Sequence, residues 1–143
     1  MLQSILRCYE RFRLSTYRSM FGLLRERDGS LSATEAFAVD VIHLLQGPTI
    51  KEFADCLGIS QPNATYKVNQ LIQKGYVEKI PSLEDRRETH LQVTDRYTRY
   101  SDRGNGNLIQ ALETLKTQFT AQEMETFSRV IRALSDAIDP GNA

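Results

Sequence analysis

The sequence predicts a mainly α-helical fold with one small β-hairpin, and three observations predict it. Apolar residues recur at intervals of three and four along most of the chain, which places them on one face of a helix. Residues 76–80 and 89–94 are instead rich in β-branched and aromatic residues or alternate polar with apolar, which favours strands. Ser32, Thr49 and Thr120 are each followed three positions later by Glu, the pattern of a capping box at a helix start.

Composition indicates an ordinary globular chain. The sequence has 143 residues, of which 41% are hydrophobic and 25% charged, and this length suits a single domain spanning residues 1–143. No apolar run approaches the ~20 residues that cross a bilayer, and the N-terminus lacks the apolar core of a signal peptide. We therefore expect a cytoplasmic protein with no membrane partner.

Residues 49–75 predict a pair of short helices joined by a tight turn. The first helix begins near Thr49 and ends at Gly58, which tolerates the left-handed backbone of a helix C-terminus. The second begins at Ser60, with Pro62 in its first turn, and ends at Gly75. Two helices separated by about three residues that include Gly are typical of a helix-turn-helix.

The second of these helices has an apolar face and a polar face. Ala64, Val68, Leu71 and Ile72 form the stripe expected to pack inward. The other residues are amides, hydroxyls and a lysine, which suit base edges and phosphates in double-stranded DNA. The candidate contacts are Ser60, Gln61, Pro62, Asn63, Thr65, Tyr66, Lys67 and Asn69. On the helix alone, an ordinary solvated face explains these residues equally well.

A charged hairpin follows the second helix. Residues 76–80 predict a strand, residues 81–88 a charged turn, and residues 89–94 a half-buried return strand. Arg86 and Arg87 lie near the tip. Because the minor groove attracts arginine, a hairpin of this kind beside a recognition helix can enter that groove.

This arrangement resembles the winged helix-turn-helix of the MarR family of bacterial transcriptional regulators. The resemblance is carried by Asp85-Arg86-Arg87, followed after three residues by Leu91-Gln92-Val93-Thr94, and it extends over nearly the whole chain. It implies that Asp85 stabilises the wing while Arg86 and Arg87 reach the minor groove. It also implies a DNA-binding lobe at residues 32–94, with dimerisation helices at residues 1–28 and 95–139.

The flanking segments also favour a dimer. A helical stripe from Leu2 to Leu24 and another over residues 108–138 present more apolar surface than one small lobe buries. A homodimer could read two half-sites about one helical turn apart, as in a pseudo-palindromic operator. The resemblance implies a transcriptional repressor of this kind, and a small aromatic effector that releases it.

Gly104 and Gly106 interrupt the helical pattern and predict a kink or hinge.

Effector candidates are few and ambiguous. The residues expected to line an effector cleft also suit an ordinary core; they are Tyr9, Phe12, Phe37, His43 and Tyr100.

The helix that begins at Ser32 is apolar on most of its circumference, which predicts that it is the buried centre of the domain. His43 and His90 stand in unrelated contexts, so we expect no metal and no cofactor, with His43 a hydrogen-bonded structural residue. Cys56 is expected in the core, and Cys8, among arginines, is a candidate reactive thiol.

Charge and motifs exclude some functions. The net charge is zero, but residues 1–27 carry six arginines and two glutamates, whereas residues 108–143 carry three basic and five acidic residues. This asymmetry is compatible with local phosphate binding. An enzyme is disfavoured because no nucleophile stands beside a base and no glycine-rich phosphate loop is present. A winged-helix module that binds protein instead of DNA remains the alternative.

Overall fold

The computed structural model describes residues 1–25, 30–82 and 88–138, apart from the side chains of residues 23, 100 and 102–104. The predicted fold class is confirmed, because six helices and one two-stranded sheet account for these residues. The elements in chain order are α1 (Leu2–Leu24), α2 (Ala33–Leu44), α3 (Ile50–Leu57), α4 (Gln61–Gln73), β1 (Val77–Pro81), β2 (Thr89–Val93), α5 (Asp95–Gln118) and α6 (Ala121–Ile138). The chain divides into two compact units, residues 1–104 and residues 105–143.

The three predicted capping boxes are confirmed. At the start of α2, the amide of Glu35 donates to Ser32 Oγ (3.3 Å) and the amide of Ser32 donates to Glu35 Oε2 (2.7 Å). The same reciprocal pair forms at the starts of α3 and α6, with Thr49 and Thr120 as the capping residues. Each box satisfies two backbone donors that a helix start otherwise leaves without partners.

The core of the first unit lies between α2, α3, α4 and the sheet. Its largest fully buried side chains are those of Tyr76, Phe53, Ile42, Leu71, Leu91, Val39 and Val68. The apolar stripe predicted for α4 is confirmed, since Ala64, Val68 and Leu71 are buried and Ile72 packs against them. At the end of α1, Met20 and Leu24 join the same cluster.

Helix α2 is not buried on all sides, contrary to the prediction. Ala36, Ala38, Val39 and Ile42 face the core, but Phe37 and Leu44 are 53% and 68% exposed. Packing in a lobe of this size covers one face of a central helix, so the high apolar content of α2 leaves an uncovered apolar face as well.

The two strands form an antiparallel hairpin whose register pairs Val77 with Val93 and Pro81 with Thr89. The return strand also contacts the segment before α3, because the amide of Leu91 donates to the carbonyl of Pro48 (2.8 Å) and His90 forms a bridge with Thr49. The hairpin is thereby attached to the start of the helix-turn-helix.

The second unit contains no buried residue among those described. Leu108, Leu112, Leu115, Met124 and Leu134 are half-buried, while α6 exposes Phe127, Val130, Ile131 and Ile138. Helix α5 includes both Gly104 and Gly106, and the kink or hinge expected there stays a prediction. Over the described residues, none of the helices has the length and hydropathy that a membrane crossing requires.

Candidate nucleic-acid interface

The turn between α3 and α4 is set by one left-handed residue. Gly58 has φ +63° and ψ +35°, and the amide of the following residue, Ile59, donates back to Ala54 O (3.1 Å). Ser60 then caps α4, since its hydroxyl accepts from the amide of Asn63 (3.4 Å). The sequence rules for a helix end followed at once by a helix start therefore hold here.

The start of α3 is held by an ionised carboxylate. The pKa of Glu52 is lowered, chiefly because its carboxylate accepts a hydrogen bond from the backbone amide of Thr49. Burial opposes this shift, and a second hydrogen bond from the Thr49 hydroxyl adds to it. A negative charge at this position also interacts favourably with the helix dipole.

The polar face of α4 is open to a partner. Most of the predicted contact residues are exposed, with Tyr66 at 64%, whereas Thr65 and Lys67 are half-buried. The exposed members of the set are Ser60, Gln61, Pro62, Asn63, Tyr66 and Asn69. The structure thus brings the predicted set onto one helix and its cap, opposite the buried stripe.

The C-terminal end of α4 is held by contacts with residues near the start of α2 and near the start of α5. Lys74 Nζ donates to Glu35 Oε2 (2.8 Å) and to the carbonyl of Ser30 (2.9 Å). Thr94 Oγ1 donates to the carbonyl of Gly75 (2.6 Å), and Arg96 Nη1 donates to the carbonyl of Lys74 (2.7 Å). Sequence reasoning missed these residues, because contacts between positions 19 to 44 apart leave no periodic signal.

Glu35 gains a second role from this contact. Burial opposes ionisation of its carboxylate, but the hydrogen bonds from Lys74 and from Ser32 outweigh that effect, so its pKa is lowered. The same carboxylate therefore caps α2 and anchors the end of α4.

The return strand of the wing is anchored by His90. Its Nδ1 lies 2.8 Å from the carbonyl of Gly47, and since a carbonyl only accepts, Nδ1 carries the proton. Its Nε2 lies 3.7 Å from Glu88. The hairpin is defined as far as the hydrogen bond from the amide of Ser82 to the carbonyl of Glu88 (2.9 Å). The predicted wing residues Asp85, Arg86 and Arg87 lie outside the described residues.

Three of the effector candidates are not the core residues that the sequence also allowed. Tyr9, Phe12 and Phe37 are 56%, 43% and 53% exposed in the single chain, and the side chain of Tyr100 is outside the described part of the structure. His43 lines a cleft of about 590 Å³ between the end of α2 and the strands. The cleft is bordered by Ile42, His43, Gln46, Gly47, Ile80, His90, Leu91, Gln92 and Val93.

Two further expectations are corrected. Cys56 is exposed and not in the core, because it lies outside the helical stripe that Phe53 and Ala54 bury. His43, for which a hydrogen bond was expected, packs against the ring of Tyr97 (centroids 5.2 Å apart) and bonds through its side chain to none of the residues that the structure describes. Tyr97 donates its hydroxyl to Asp40. The pKa of Tyr97 is raised, mainly by burial and to a smaller extent by this hydrogen bond.

The arrangement of α3, α4 and the hairpin is that of a winged helix-turn-helix. A family model described as "MarR family" matches residues 30–88. Among solved structures, a point mutant of MarR from E. coli complexed with operator DNA is 20% identical with a TM-score of 0.51, covering 92% of this chain and 93% of that one. FabT of Streptococcus pneumoniae in complex with DNA is 23% identical with a TM-score of 0.54, covering 97% and 98%.

A third solved structure has a higher fold similarity at lower identity. A point mutant of MepR from a multidrug resistant clinical isolate of S. aureus is 12% identical with a TM-score of 0.64, covering 97% of this chain and 98% of that one. No curated protein sequence matches the chain. The lobe at residues 30–88 thus matches the MarR family model, and the chain shares its fold with these solved structures over nearly its whole length.

Proposed function

We propose that the protein is a DNA-binding transcriptional regulator that reads a duplex through α4. The observation that supports this most directly is the exposed row of amide and hydroxyl side chains on α4, opposite its buried stripe. Amides such as that of Asn63 pair with base edges in the major groove, and hydroxyls such as that of Tyr66 reach phosphates. Solved structures of MarR and FabT with DNA support the same use of the fold.

The wing is proposed to supply the second contact. His90 and Leu91 attach the return strand of the hairpin to the segment before α3, the first helix of the helix-turn-helix. We propose Arg86 and Arg87 as minor-groove contacts and Asp85 as the residue that stabilises the hairpin. Gln61, Asn63, Thr65, Tyr66 and Asn69 are proposed as groove and backbone contacts, with Ser60, Pro62 and Lys67 beside them.

Two apolar surfaces support a homodimer. In α1, Leu2, Ile5, Leu6, Tyr9 and Phe12 are each between 41% and 66% exposed, and α6 exposes Phe127, Val130, Ile131 and Ile138. Exposed apolar surface of this extent is typical of an interface. A second copy of the chain would cover it and would present two α4 helices to a pseudo-palindromic operator.

The dimer can be tested with a double charge substitution in α1. We expect Ile5→Glu/Leu6→Glu to halve the mass measured by light scattering and to weaken operator binding, because two charges cannot be buried in an apolar interface without partners. The control is Gln3→Glu, which adds a charge at an exposed polar position. A double variant that keeps a dimeric mass would refute the assignment of α1 to the interface.

Operator binding is tested by selection from sheared genomic duplex in the presence of competitor DNA. We expect recovery of an inverted repeat whose half-sites lie about one helical turn apart. On that duplex, Asn63→Ala should lower affinity about tenfold, the typical effect of losing one base contact. Arg87→Ala should lower affinity and reduce the salt dependence. Gln73→Ala, an exposed amide at the far end of α4, is the matched control.

A protein-interaction module is the competing function. It predicts no duplex enrichment and no loss of binding with rising salt, since a protein interface need not release counterions. Absence of duplex binding by the wild-type chain even at low salt would overturn the DNA-binding proposal.

The regulatory part of the proposal is repression relieved by a small aromatic effector. A dimer seated on its operator excludes other proteins from that duplex, which supports repression, and a reporter under the recovered operator tests the sign. The effector residues we propose are Tyr9, Phe12, Phe37, His43 and Tyr100, of which the first three expose aromatic rings. Benzoate and phenol serve as probes. Release of the duplex, reduced in Phe37→Ala, is the expected result, because an effector must bind the two states unequally.

A further inference from the structure

Residues at and just before the start of α5 hold the C-cap of the recognition helix α4 (Gln61–Gln73) and the two residues that follow it. The carbonyl group at the C-cap of a helix has no partner within the helix. Here the carbonyl of Lys74 accepts from Arg96 Nη1 (2.7 Å) and that of Gly75 accepts from Thr94 Oγ1 (2.6 Å). The carbonyl of Tyr76 accepts from the amide of Thr94 (3.0 Å).

Arg96 is itself held in place. Its guanidinium lies over the ring of Tyr76, 4.6 Å from the centroid, and that ring is fully buried. A cation at the C-terminal end of a helix is favoured by the helix dipole, and its hydrogen bond to the carbonyl is strengthened by the charge. The contact therefore links the buried ring of Tyr76 and the guanidinium of Arg96 to the end of α4.

Because α4 is long, a small change of angle at its C-terminal end displaces its N-terminal end. Thirteen residues at a rise of about 1.5 Å place the first turn roughly 18 Å from the Arg96 contact. A tilt of about 3° at the anchored end would move the first turn by about 1 Å, and a binding constellation needs its groups held within about 0.5 Å. Lys74 anchors the same end to α2 through Glu35 and to the segment before α2 through Ser30, so α2 and α5 together determine the direction of α4.

We propose that Arg96 is a positioning residue for DNA recognition: its contact with the Lys74 carbonyl and the Tyr76 ring sets the angle at which α4 meets the duplex. Arg96 acts through α4 and does not touch the nucleic acid. The contact also makes the first turn of α5 the element through which a displacement of that helix reaches the recognition helix. This inference depends on the proposed DNA-binding function.

The chain offers a matched control on the same helix. Arg99, three residues further along α5, donates from Nε to the carbonyl of Asp95 (3.2 Å), a contact within its own helix. Both residues carry the same charge, and Arg99 is exposed. Arg99→Ala therefore removes an equal charge without releasing α4.

The test uses the full chain and the inverted-repeat duplex recovered by the genomic selection. We expect Arg96→Ala to remain folded by circular dichroism and to bind about tenfold more weakly, while Arg99→Ala binds like wild type. The slope of log affinity against log salt should stay at the wild-type value, because no phosphate contact is lost. Arg96→Lys should restore part of the affinity, since it keeps the charge but not the planar stack on Tyr76.

A second measurement separates positioning from simple destabilisation. Hydrogen exchange of the free protein should show faster exchange at the last amides of α4 in Arg96→Ala, with the amides of Phe53 and Ala54 in α3 unchanged. Affinity is compared at a temperature where both proteins are fully folded.

Several results would overturn the inference. Wild-type affinity in folded Arg96→Ala would do so, as would a salt slope reduced by about one, which indicates a direct phosphate contact. An affinity loss that only follows the unfolded fraction would assign Arg96 a purely structural role. Failure of the wild-type chain to bind any duplex would instead refute the proposed function, and is distinguished by the wild-type measurement alone.

Discussion

Replacing Gly58 by Ala should destabilise the helix-turn-helix through the backbone alone. A Cβ added at Gly58 meets nothing within 4 Å, so no steric clash contributes. The φ of +63° remains, and a left-handed conformation costs an L-residue about 1–2 kcal/mol. Alanine also restricts the unfolded chain, which offsets about 0.4–1 kcal/mol. The net expectation is a loss of about 1 kcal/mol in the free energy of unfolding, measured by urea denaturation.

Two further substitutions make this prediction sharper. Gly58→Asn should lose less than Gly58→Ala, because asparagine tolerates the left-handed region. Gly106→Ala should stabilise by about 0.5–1 kcal/mol, since Gly106 lies inside α5 with open space around its Cα. If Gly58→Ala matches wild type, or if the asparagine variant is no better than the alanine variant, the left-handed turn is not what Gly58 supplies.

Two other predictions concern titrating groups. Tyr97→Phe removes the donor to Asp40 and should cost about 1–3 kcal/mol at neutral pH. Because the pKa of Tyr97 is raised, this contribution is complete below the ordinary tyrosine pKa of about 10 and declines as pH rises beyond it, so denaturation curves of the two proteins should converge at alkaline pH. Glu52→Gln keeps the capping acceptor but removes the charge. Since the pKa of Glu52 is lowered, the stability it adds is complete above about 4.3 and is lost as pH falls through the folded value, so the wild-type advantage in urea midpoint should vanish in acid.

Local rules predicted the elements that local physics controls. Helix starts depend on a residue and its neighbour three positions on, and the turn depends on one glycine, so Ser32, Thr49 and Gly58 could be read directly from the sequence. The buried stripe of α4 followed from its period for the same reason. These features need no knowledge of what packs against them.

Burial and long-range contacts could not be predicted in that way. Cys56 and Phe37 are apolar residues in helices with buried faces, and their exposure depends on how far each face extends once the lobe has packed. The contacts of Arg96 and Lys74 cross 22 and 39 positions of sequence respectively. No periodicity marks such pairs, and both residues read as ordinary surface cations before the fold brings their partners close.

Under the proposed function, these contacts also limit which cations of a chain with zero net charge can bind DNA phosphates. Lys74 is paired with Glu35 and Arg96 lies against a backbone carbonyl, so two cations of the lobe stabilise the fold and are not free to bind phosphates. The α4 face that remains carries amides and hydroxyls, with Lys67 as its cation. Under the proposed function, α4 therefore contributes mainly hydrogen bonds to bases and backbone, which depend on angle more than on charge. Because these hydrogen bonds depend on the angle of α4, a contact that fixes the C-terminal end of α4 affects binding at its N-terminal end. The Arg96 contact would influence DNA recognition in this way.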